Sequence, residues 1–409
     1  MNTRVINENH FLSQNFSKFI SKIYLINISN KYLLKYLINI SDKNMFFSRY
    51  LEHIALKSAS RDDPIVKLAL FGAGRAGTIH LTTILSNVRV KLVYIVDDID
   101  SNWESMRKYW RLEDVVFLNS KQSDKVFQDP NIDAVIVASP TFTHENIVIK
   151  ALQARKAVFC EKPIAENRSD TAKCYEIAKK VGKPLFCAFN RRFDPSYSEV
   201  RDRVRKGEVG HVHMIKTVSR DSPLPSIEYL KISGGIFHDC LVHDIDIITW
   251  TLGEYPDKVS VLADANIPEI KAIGDFDTVA VTLHFPSGTL GMIDLSRNST
   301  FGYDQRLEVF GPRGMVRADN EHPIPGVRWQ YGLRGTTTAP IWYSFASRFM
   351  NGYRREFEHF IDVVHGKVES LVRSKETLAV SKVATACEEA ARTGKSVDLN
   401  WIPGELPDQ

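Results

Sequence analysis

Two side chains that could accept and relay a proton stand four residues apart in the second half of the chain. Asp239 and His243 lie in the segment 235–252, where apolar residues recur with the period of a helix. Residues i and i+4 share one helix face, so we expect both side chains to meet one substrate. Imidazole has an unperturbed pKa of about 6.5, which suits a general base near neutral pH. Because a histidine in an amphipathic helix is more often a core residue, this pair alone does not establish a site.

A glycine-rich turn earlier in the chain predicts a dinucleotide site. The apolar, β-rich run 65–71 leads into the segment 72–77, which reads GAGRAG and is followed by a helical pattern. In G-x-G-x-x-G the first glycine permits the tight turn, the second lets the backbone approach a pyrophosphate, and the third lets the helix pack on the strand. The residues of this turn expected at the cofactor are Gly72, Gly74, Arg75, Ala76 and Gly77.

A carboxylate at the end of the next apolar run indicates which dinucleotide binds. Asp97 follows the run 90–96 at the distance from the glycines expected of the residue that accepts the ribose hydroxyls. No Arg or Lys occurs in the four residues behind it, so the carboxylate would repel the 2′-phosphate of NADP. NAD is therefore favoured over NADP. The alternative is that Asp97 only ends a strand.

Strand and helix patterns alternate up to residue 189. Strands are predicted over 115–118, 134–138, 157–160 and 184–189, with helices over 144–154 and 170–181. Such alternation predicts right-handed β-α-β units and a doubly wound parallel Rossmann sheet. Ligands of these sheets bind beyond the carboxyl ends of the strands. The residues expected there are Ser139, Pro140, Thr141, Glu161 and Lys162.

Several motifs together resemble one family. Glu161-Lys162-Pro163 follows a predicted Rossmann strand, and the segment 234–246 reads GGIFHDCLVHDID. The segments 139–144 (SPTFTH) and 190–194 (NRRFD) fit the same pattern. The chain is similar in these features, over about residues 65 to 395, to the glucose-fructose oxidoreductase and inositol 2-dehydrogenase superfamily, and within it to the inositol 2-dehydrogenase branch. No resemblance covers residues 1–60.

The resemblance implies a Rossmann domain followed by an α/β domain with a large open, mainly antiparallel sheet, and NAD(P) bound between the two. It also implies oxidation of a secondary hydroxyl of a cyclic polyol or sugar by hydride transfer. The family's catalytic residues map onto Lys162, Asp239 and His243. In this interpretation His243 accepts the hydroxyl proton, Lys162 stabilises developing alkoxide charge, and Asp239 orients the imidazole or the lysine. His144 and Asn190 are expected at the cofactor.

The substrate contacts are less sharply defined. Arg191 follows the last Rossmann strand, where it and Arg192 could bind polyol hydroxyls or form interdomain salt bridges. Asp246 is three residues after His243, on the same expected face, and is predicted to contact substrate hydroxyls. Inositol dehydrogenases commonly carry His-x-Asn on the first strand of the second domain, whereas residues 219–225 here read SRDSPLP. Different donors imply different hydroxyl recognition, so the polyol is left open.

Period-two alternation after residue 195 predicts the second sheet. Strands are expected over 211–220, 258–263, 278–285, 289–298 and 305–310, and helices over 345–364 and 376–391. Successive antiparallel strands predict one helix-covered face and one free face, and the free face suits a homodimer or homotetramer. The expected domains are a low-complexity, disordered extension (1–60), the NAD-binding domain (61–190), the substrate and oligomerisation domain (191–395) and a tail (396–409).

Composition excludes several classes of protein. The 409 residues are 44% hydrophobic and 25% charged, which fits a two-domain globular protein and not a fibrous or disordered one. The five cysteines form no C-x-x-C pair or Cys/His cluster, so neither a metal site nor a disulfide framework is expected, and a reducing compartment fits. The net charge of +4 lies in residues 1–44, and a neutral remainder offers no electrostatic footprint for nucleic acid.

Residues 1–44 contain no Gly, Ala or Pro, and charged residues interrupt their most apolar part. This argues against a membrane-spanning helix and against a secretory signal, so we expect no membrane partner and a cytoplasmic protein. A mitochondrial presequence is the minor alternative.

Three other functions fit the same fold. They are a redox-silent NAD-binding sensor or scaffold, an NAD-dependent glycosidase that oxidises its substrate transiently, and a reductase of dihydrodiols or aldoses. The intact set of Lys162, Asp239 and His243 favours an enzyme.

Overall fold

The structure is a computed structural model that describes residues 63–330 and 332–407. The extension predicted over 1–60 lies outside these residues. The described residues from Pro64 onward form one compact unit. Within the described ranges, none of the helices combines the length and the apolar character needed to cross a membrane.

The first half of this unit contains a six-stranded parallel sheet in the order β3-β2-β1-β4-β5-β6. Its strands are β1 (Val66–Phe71), β2 (Val90–Val96), β3 (Val116–Leu118), β4 (Ala134–Val137), β5 (Ala157–Glu161) and β6 (Leu185–Ala188). Its helices are α1 (Arg75–Leu85), α2 (Trp103–Trp110), α3 (Asp124–Gln128), α4 (Thr141–Gln153) and α5 (Arg168–Val181). Every residue of β4 and β6 is buried, as expected of strands covered by helices on both faces. The predicted Rossmann sheet is confirmed.

The second half contains a seven-stranded sheet in the order β12-β11-β7-β10-β9-β8-β15. Its strands are β7 (Met214–Arg220), β8 (Lys258–Asp264), β9 (Thr278–His284), β10 (Leu290–Ser296), β11 (Asp304–Gly311), β12 (Gly314–Ala318) and β15 (Val397–Asp398). Burial alternates strictly along β9, so one face packs on helices and the other is exposed. A separate hairpin pairs β13 (Arg328–Gln330) with β14 (Thr336–Thr338).

One pair in the second sheet departs from the predicted antiparallel order. β7 and β10 run parallel, with Met214 opposite Leu290, whereas the other paired strands of this sheet are antiparallel. The chain between them forms a helical layer and the β8-β9 hairpin before it returns beside β7. Parallel neighbours need such a long crossover. The predicted, mainly antiparallel sheet is confirmed, with the β7-β10 pair as its parallel exception.

Helices of the second half lie against the inner face of this sheet and, at Met350–Val364, against α1 of the first half. They are α6 (Pro195–Arg205), α7 (Ile227–Leu230), α8 (Val242–Leu252), α9 (Pro268–Ala272), α10 (Phe345–Arg348), α11 (Met350–Val364) and α12 (Ser374–Thr393). The single helix predicted over 345–364 is therefore two helices, separated at Phe349, whose backbone leaves the helical region and whose ring is buried. The predicted tail contributes β15, which pairs with β8.

Candidate active site

Lys162 and Asp239 meet at the carboxyl edge of the first sheet. Lys162 directly follows β5, and its Nζ atom donates to Asp239 Oδ1 at 3.0 Å and to the Asp239 carbonyl oxygen at 2.6 Å. Asp239 lies in a π-helical turn, Phe237–Leu241, that leads into α8. A π turn is wider than an α turn and is frequent at functional sites. The two predicted catalytic residues are thus in direct contact.

The Asp239 carboxylate has two further partners that the sequence motifs did not indicate. Tyr229 donates from its hydroxyl to Oδ1 at 2.9 Å, and Arg297 Nη1 donates to Oδ2 at 2.6 Å. Burial by itself would raise the pKa of Asp239, but the charges of Lys162 and Arg297 outweigh it and hold that pKa well below its usual value. Asp239 is therefore an ionised acceptor with both oxygens engaged.

His243 stands one turn further along, at the start of α8. Burial, followed by the charges of Lys162 and Arg191, lowers the pKa of the imidazole well below 6.5. Its Nδ1 atom has no hydrogen-bond partner among the described residues, and its ring meets Phe189 edge-on at 6.1 Å. The histidine is thus neutral at neutral pH and is not tied to Asp239. Of the two roles predicted for Asp239, its contacts support orientation of the lysine.

Burial and a neighbouring carboxylate have opposite effects on the pKa of Lys162. Removal from water opposes the ammonium, but the neighbouring Asp239 carboxylate outweighs this effect and raises the pKa of the lysine above its usual value. A cationic donor and a neutral proton acceptor therefore lie side by side. This combination can bind a hydroxyl oxygen and remove its proton.

The glycine turn has the geometry of a phosphate cradle at the start of α1. A Cβ at Gly77 would lie 2.0 Å from the Gly72 carbonyl oxygen, and one at Gly72 would lie 2.6 Å from backbone atoms of Ser139. A Cβ at Gly74 would meet no atom of the chain within 4 Å. Gly72 and Gly77 are thus required by the fold itself, while Gly74 leaves open space where a ligand's phosphates fit. Arg75, the first residue of α1, stacks on Phe345 at 4.2 Å.

Asp97 lies beside this turn. Its Oδ2 accepts from the Ala73 amide at 2.7 Å and its Oδ1 accepts from the Ile99 amide at 2.8 Å. The carboxylate therefore braces the glycine loop, and each oxygen retains a lone pair for a ribose hydroxyl.

The residues expected behind β4 and β5 are joined to one another. His144 is buried, with Nε2 and Nδ1 each 2.8 Å from a carbonyl oxygen, those of Ser139 and Pro163 respectively. Its ring thus lies between the two loops at the carboxyl ends of β4 and β5, and a neutral imidazole donates to one of the two carbonyl oxygens. Thr141 begins α4 directly after Pro140. His144 therefore contacts these two loops, and its contact with the cofactor stays a prediction.

Glu161 has a partner that no motif indicated. Its Oε1 atom lies 2.7 Å from Nε2 of His80, a buried residue of α1. Since His80 is three residues after Gly77, this contact links the glycine-turn helix to the residue preceding Lys162.

The arginines after β6 form buried ion pairs. Asn190 and Arg191 lie in the short 3-10 turn Asn190–Phe193, and Arg191 Nη1 is 3.1 Å from Asp244 Oδ1. Arg192 contacts both oxygens of Asp246 and one of Glu376. These contacts support the salt-bridge interpretation of the pair. Asp246 is 1% exposed, and its contact with substrate stays a prediction that this placement does not favour.

Comparison with known proteins identifies the fold and the family. A family model described as an oxidoreductase family with an NAD-binding Rossmann fold matches residues 66–189, and the GFO/IDH/MocA C-terminal domain matches residues 197–317. The chain is 35% identical to myo-inositol 2-dehydrogenase of Thermotoga maritima, over 83% of this chain and 100% of that protein. It is 34% identical to inositol 2-dehydrogenase of Rhizobium meliloti, over 82% and 99%.

A solved structure shares this fold. Scyllo-inositol dehydrogenase from Lactobacillus casei, with bound NAD(H) and scyllo-inositol, has a TM-score of 0.74 and 26% identity, over 82% of this chain and 99% of that one. Both domain models, the long alignments and the shared architecture agree. The chain belongs to the GFO/IDH/MocA family of oxidoreductases.

Proposed function

We propose that the protein is an NAD-dependent dehydrogenase that oxidises a secondary hydroxyl of a cyclic polyol, in the manner of an inositol 2-dehydrogenase. The observation that carries this proposal is the contact between Lys162 and Asp239 beside the neutral imidazole of His243. The relatives named above bear inositol dehydrogenase names, which supports an inositol as substrate.

Each catalytic side chain has one task in this reaction. The Lys162 ammonium donates to the substrate hydroxyl and stabilises negative charge on its oxygen as the proton leaves. His243 accepts that proton, and Asp239 keeps the ammonium charged and in place. When bound, NAD supplies the nicotinamide carbon that accepts the hydride from the carbinol carbon. The products are a ketone, NADH and a proton.

NAD is the proposed dinucleotide because of the charge beside the glycine turn. The Asp97 carboxylate is fixed by the Ala73 and Ile99 amides beside the glycine turn, where we expect the ribose. A 2′-phosphate there would face this carboxylate, with Asp98 next to it.

NADH absorbance with a panel of inositols, sugars, dihydrodiols and glycosides tests the activity. We expect strong NADH formation with one cyclic polyol. Lys162→Ala and His243→Ala should each lower kcat by roughly 10²- to 10⁴-fold while the affinity for NAD is retained. Product release without net NADH would indicate the glycosidase. Binding of NAD without turnover of any compound would indicate the sensor.

We further propose that the exposed face of the second sheet joins subunits into a homodimer or homotetramer. Apolar side chains project from it, among them Leu262, Leu290, Met292, Phe310 and Met315. Such a patch is unusual on a monomer. Light scattering on the wild type and on Leu262→Lys would test it, since a charge in the patch should dissociate the subunits.

A cytoplasmic location is proposed from the five free cysteines, which suit a reducing compartment.

A further inference from the structure

A buried arginine on a different element from the catalytic motifs contacts the catalytic aspartate. Arg297 follows β10, and its backbone amide is fixed by the Asp277 carbonyl oxygen at 2.8 Å. Its Nη1 atom lies 2.6 Å from Asp239 Oδ2 and 3.0 Å from Cys240 Sγ. The side chain is 0% exposed. Any effect that Arg297 has on the site is therefore transmitted by the side chains it contacts.

A second carboxylate lies within ion-pair distance of the same guanidinium. Arg297 Nη2 lies 3.5 Å from Asp275 Oδ2, and Asp275 Oδ1 accepts from the Ile236 amide at 3.1 Å, at the entry to the π turn. Arg297 therefore touches the catalytic carboxylate and the carboxylate that holds the start of its turn. Displacement of the arginine would release both.

The charge balance around Asp239 depends on this residue. The titratable groups that act on the carboxylate or on its partners come from several elements, and they are Arg75, Glu161, Lys162, Arg191, Asp221, Tyr229, Cys240, His243, Asp275 and Arg297. Of these, Lys162 and Arg297 are the cations that contact the carboxylate directly. Without Arg297, burial and the charge of Asp221 would both favour protonation of Asp239, and Lys162 and the hydrogen bond from Tyr229 would be left to oppose it.

We propose that Arg297 is a positioning residue for hydride transfer, which fixes the Asp239 carboxylate against Lys162 so that the ammonium faces the substrate oxygen. This inference rests on the proposed function. The Nε and Nη2 atoms of Arg297 make no hydrogen bond within the described chain, so the cost of burying the cation is offset chiefly by its hydrogen-bonded pair with Asp239 and by the nearby charge of Asp275. A neutral side chain of similar size could fill the space, but it could not fix an ionised Asp239.

Arg297→Gln and Arg297→Lys test this inference through the pH profile. In Arg297→Gln we expect kcat to fall by roughly 10²-fold, with NAD affinity unchanged, and the acid limb of kcat to move up by about one pH unit. The sign follows from the loss of a cation, because Asp239 then takes up its proton at a higher pH and its protonation adds to that of His243 in the acid limb. Arg297→Lys should restore the acid limb and part of kcat.

A matched control separates positioning from general destabilisation. Arg348→Gln also breaks a buried pair, since Arg348 Nη1 lies 2.8 Å from Asp194 Oδ2, but it should lower thermal stability without moving the acid limb. An unmoved acid limb in folded Arg297→Gln would overturn the proposal and leave Arg297 a structural residue.

A second readout does not require turnover. Labelling of Lys162 by an amine-reactive reagent, followed by peptide mass spectrometry across a pH series, reports the charge of the lysine directly. Its midpoint should fall by about one pH unit in Arg297→Gln, because the Asp239 carboxylate is no longer held against the ammonium, and should return in Arg297→Lys. An unchanged midpoint would contradict the proposal even if no polyol were oxidised. If the wild type oxidised no polyol but the midpoint shifted as expected, only the proposed function would be contradicted.

Discussion

Asp239 accepts a hydrogen bond of 3.0 Å from Lys162, while Nδ1 of His243 has no partner in the described part of the chain. The aspartate therefore forms its ion pair with the lysine, and the histidine, which has no carboxylate partner, is neutral. A neutral base loses activity only when it is protonated. We expect kcat/KM to stay constant from about pH 8 down to about pH 6.5 and to fall only below that, because the pKa of His243 is well below 6.5. A pH profile whose acid limb has its midpoint above 6.5 would contradict this assignment.

Two alanine substitutions in the glycine turn should have different effects. Gly74→Ala meets no protein atom within 4 Å, so the stability of the free protein should be unchanged while the affinity for NAD falls by roughly tenfold or more. Gly77→Ala places its Cβ 2.0 Å from the Gly72 carbonyl oxygen, so it should also lower thermal stability. Thermal melts without ligand and titration with NADH distinguish the two. Equal losses of stability would show that Gly74 is needed by the fold.

Removal of the charge at Asp97 should relax the choice of dinucleotide. Asp97→Asn keeps an oxygen that can accept from the Ala73 amide but no longer repels a 2′-phosphate. The ratio of kcat/KM for NADP to that for NAD should rise by roughly tenfold. Steady-state kinetics with both dinucleotides measures it, and Asp98→Asn is the matched control. A ratio that moved only in the control would assign discrimination to Asp98.

Asp246→Asn should affect stability more than substrate affinity. The carboxylate is 1% exposed and pairs with Arg192, whose remaining charged partner would be Glu376. Loss of one member of a buried ion pair costs about 3 kcal/mol of unfolding free energy. Denaturant unfolding measures this loss, and KM for the polyol should change less than about twofold. A raised KM with unchanged stability would place Asp246 at the substrate.

Glu356 should make stability decrease as the pH rises. It is fully buried in α11, both of its oxygens lack a hydrogen-bond partner among the described residues, and burial raises its pKa well above 4.5. The folded state therefore keeps the proton that the unfolded state has lost above about pH 4.5, so stability declines between those two pKa values. Glu356→Gln should melt at a higher temperature than the wild type at about pH 8, with a smaller difference at about pH 5. A difference independent of pH would contradict this.

The features that sequence reasoning could predict are those encoded by local patterns. The Rossmann strands, the glycine turn and the contact of Lys162 with the 239–243 segment all follow from periodicity or from motifs. Arg297 and His80 could not be found in this way, because their contacts with Asp239 and Glu161 depend on where distant elements end. The break at Phe349 likewise carries no proline or glycine signal and follows from the burial of its ring.

The pairs formed by the two arginines after β6 illustrate the same limit. Sequence reasoning left hydroxyl binding and salt bridges open for Arg191 and Arg192. Only the positions of Asp244 and Asp246 on α8 show that both side chains have buried carboxylate partners.

The parallel pairing of β7 with β10 also bears on how the protein folds. The strand that precedes Arg297 pairs with β7 only after the intervening chain, which carries the π turn and Asp239, has packed on the sheet. Closing so long a loop loses chain entropy before any contact compensates for it, and such topologies fold slowly. The centre of the second sheet and the carboxylate cluster around Asp239 should therefore form in the same late step. An enzyme that has not completed its second sheet would carry an intact glycine turn and no reaction centre.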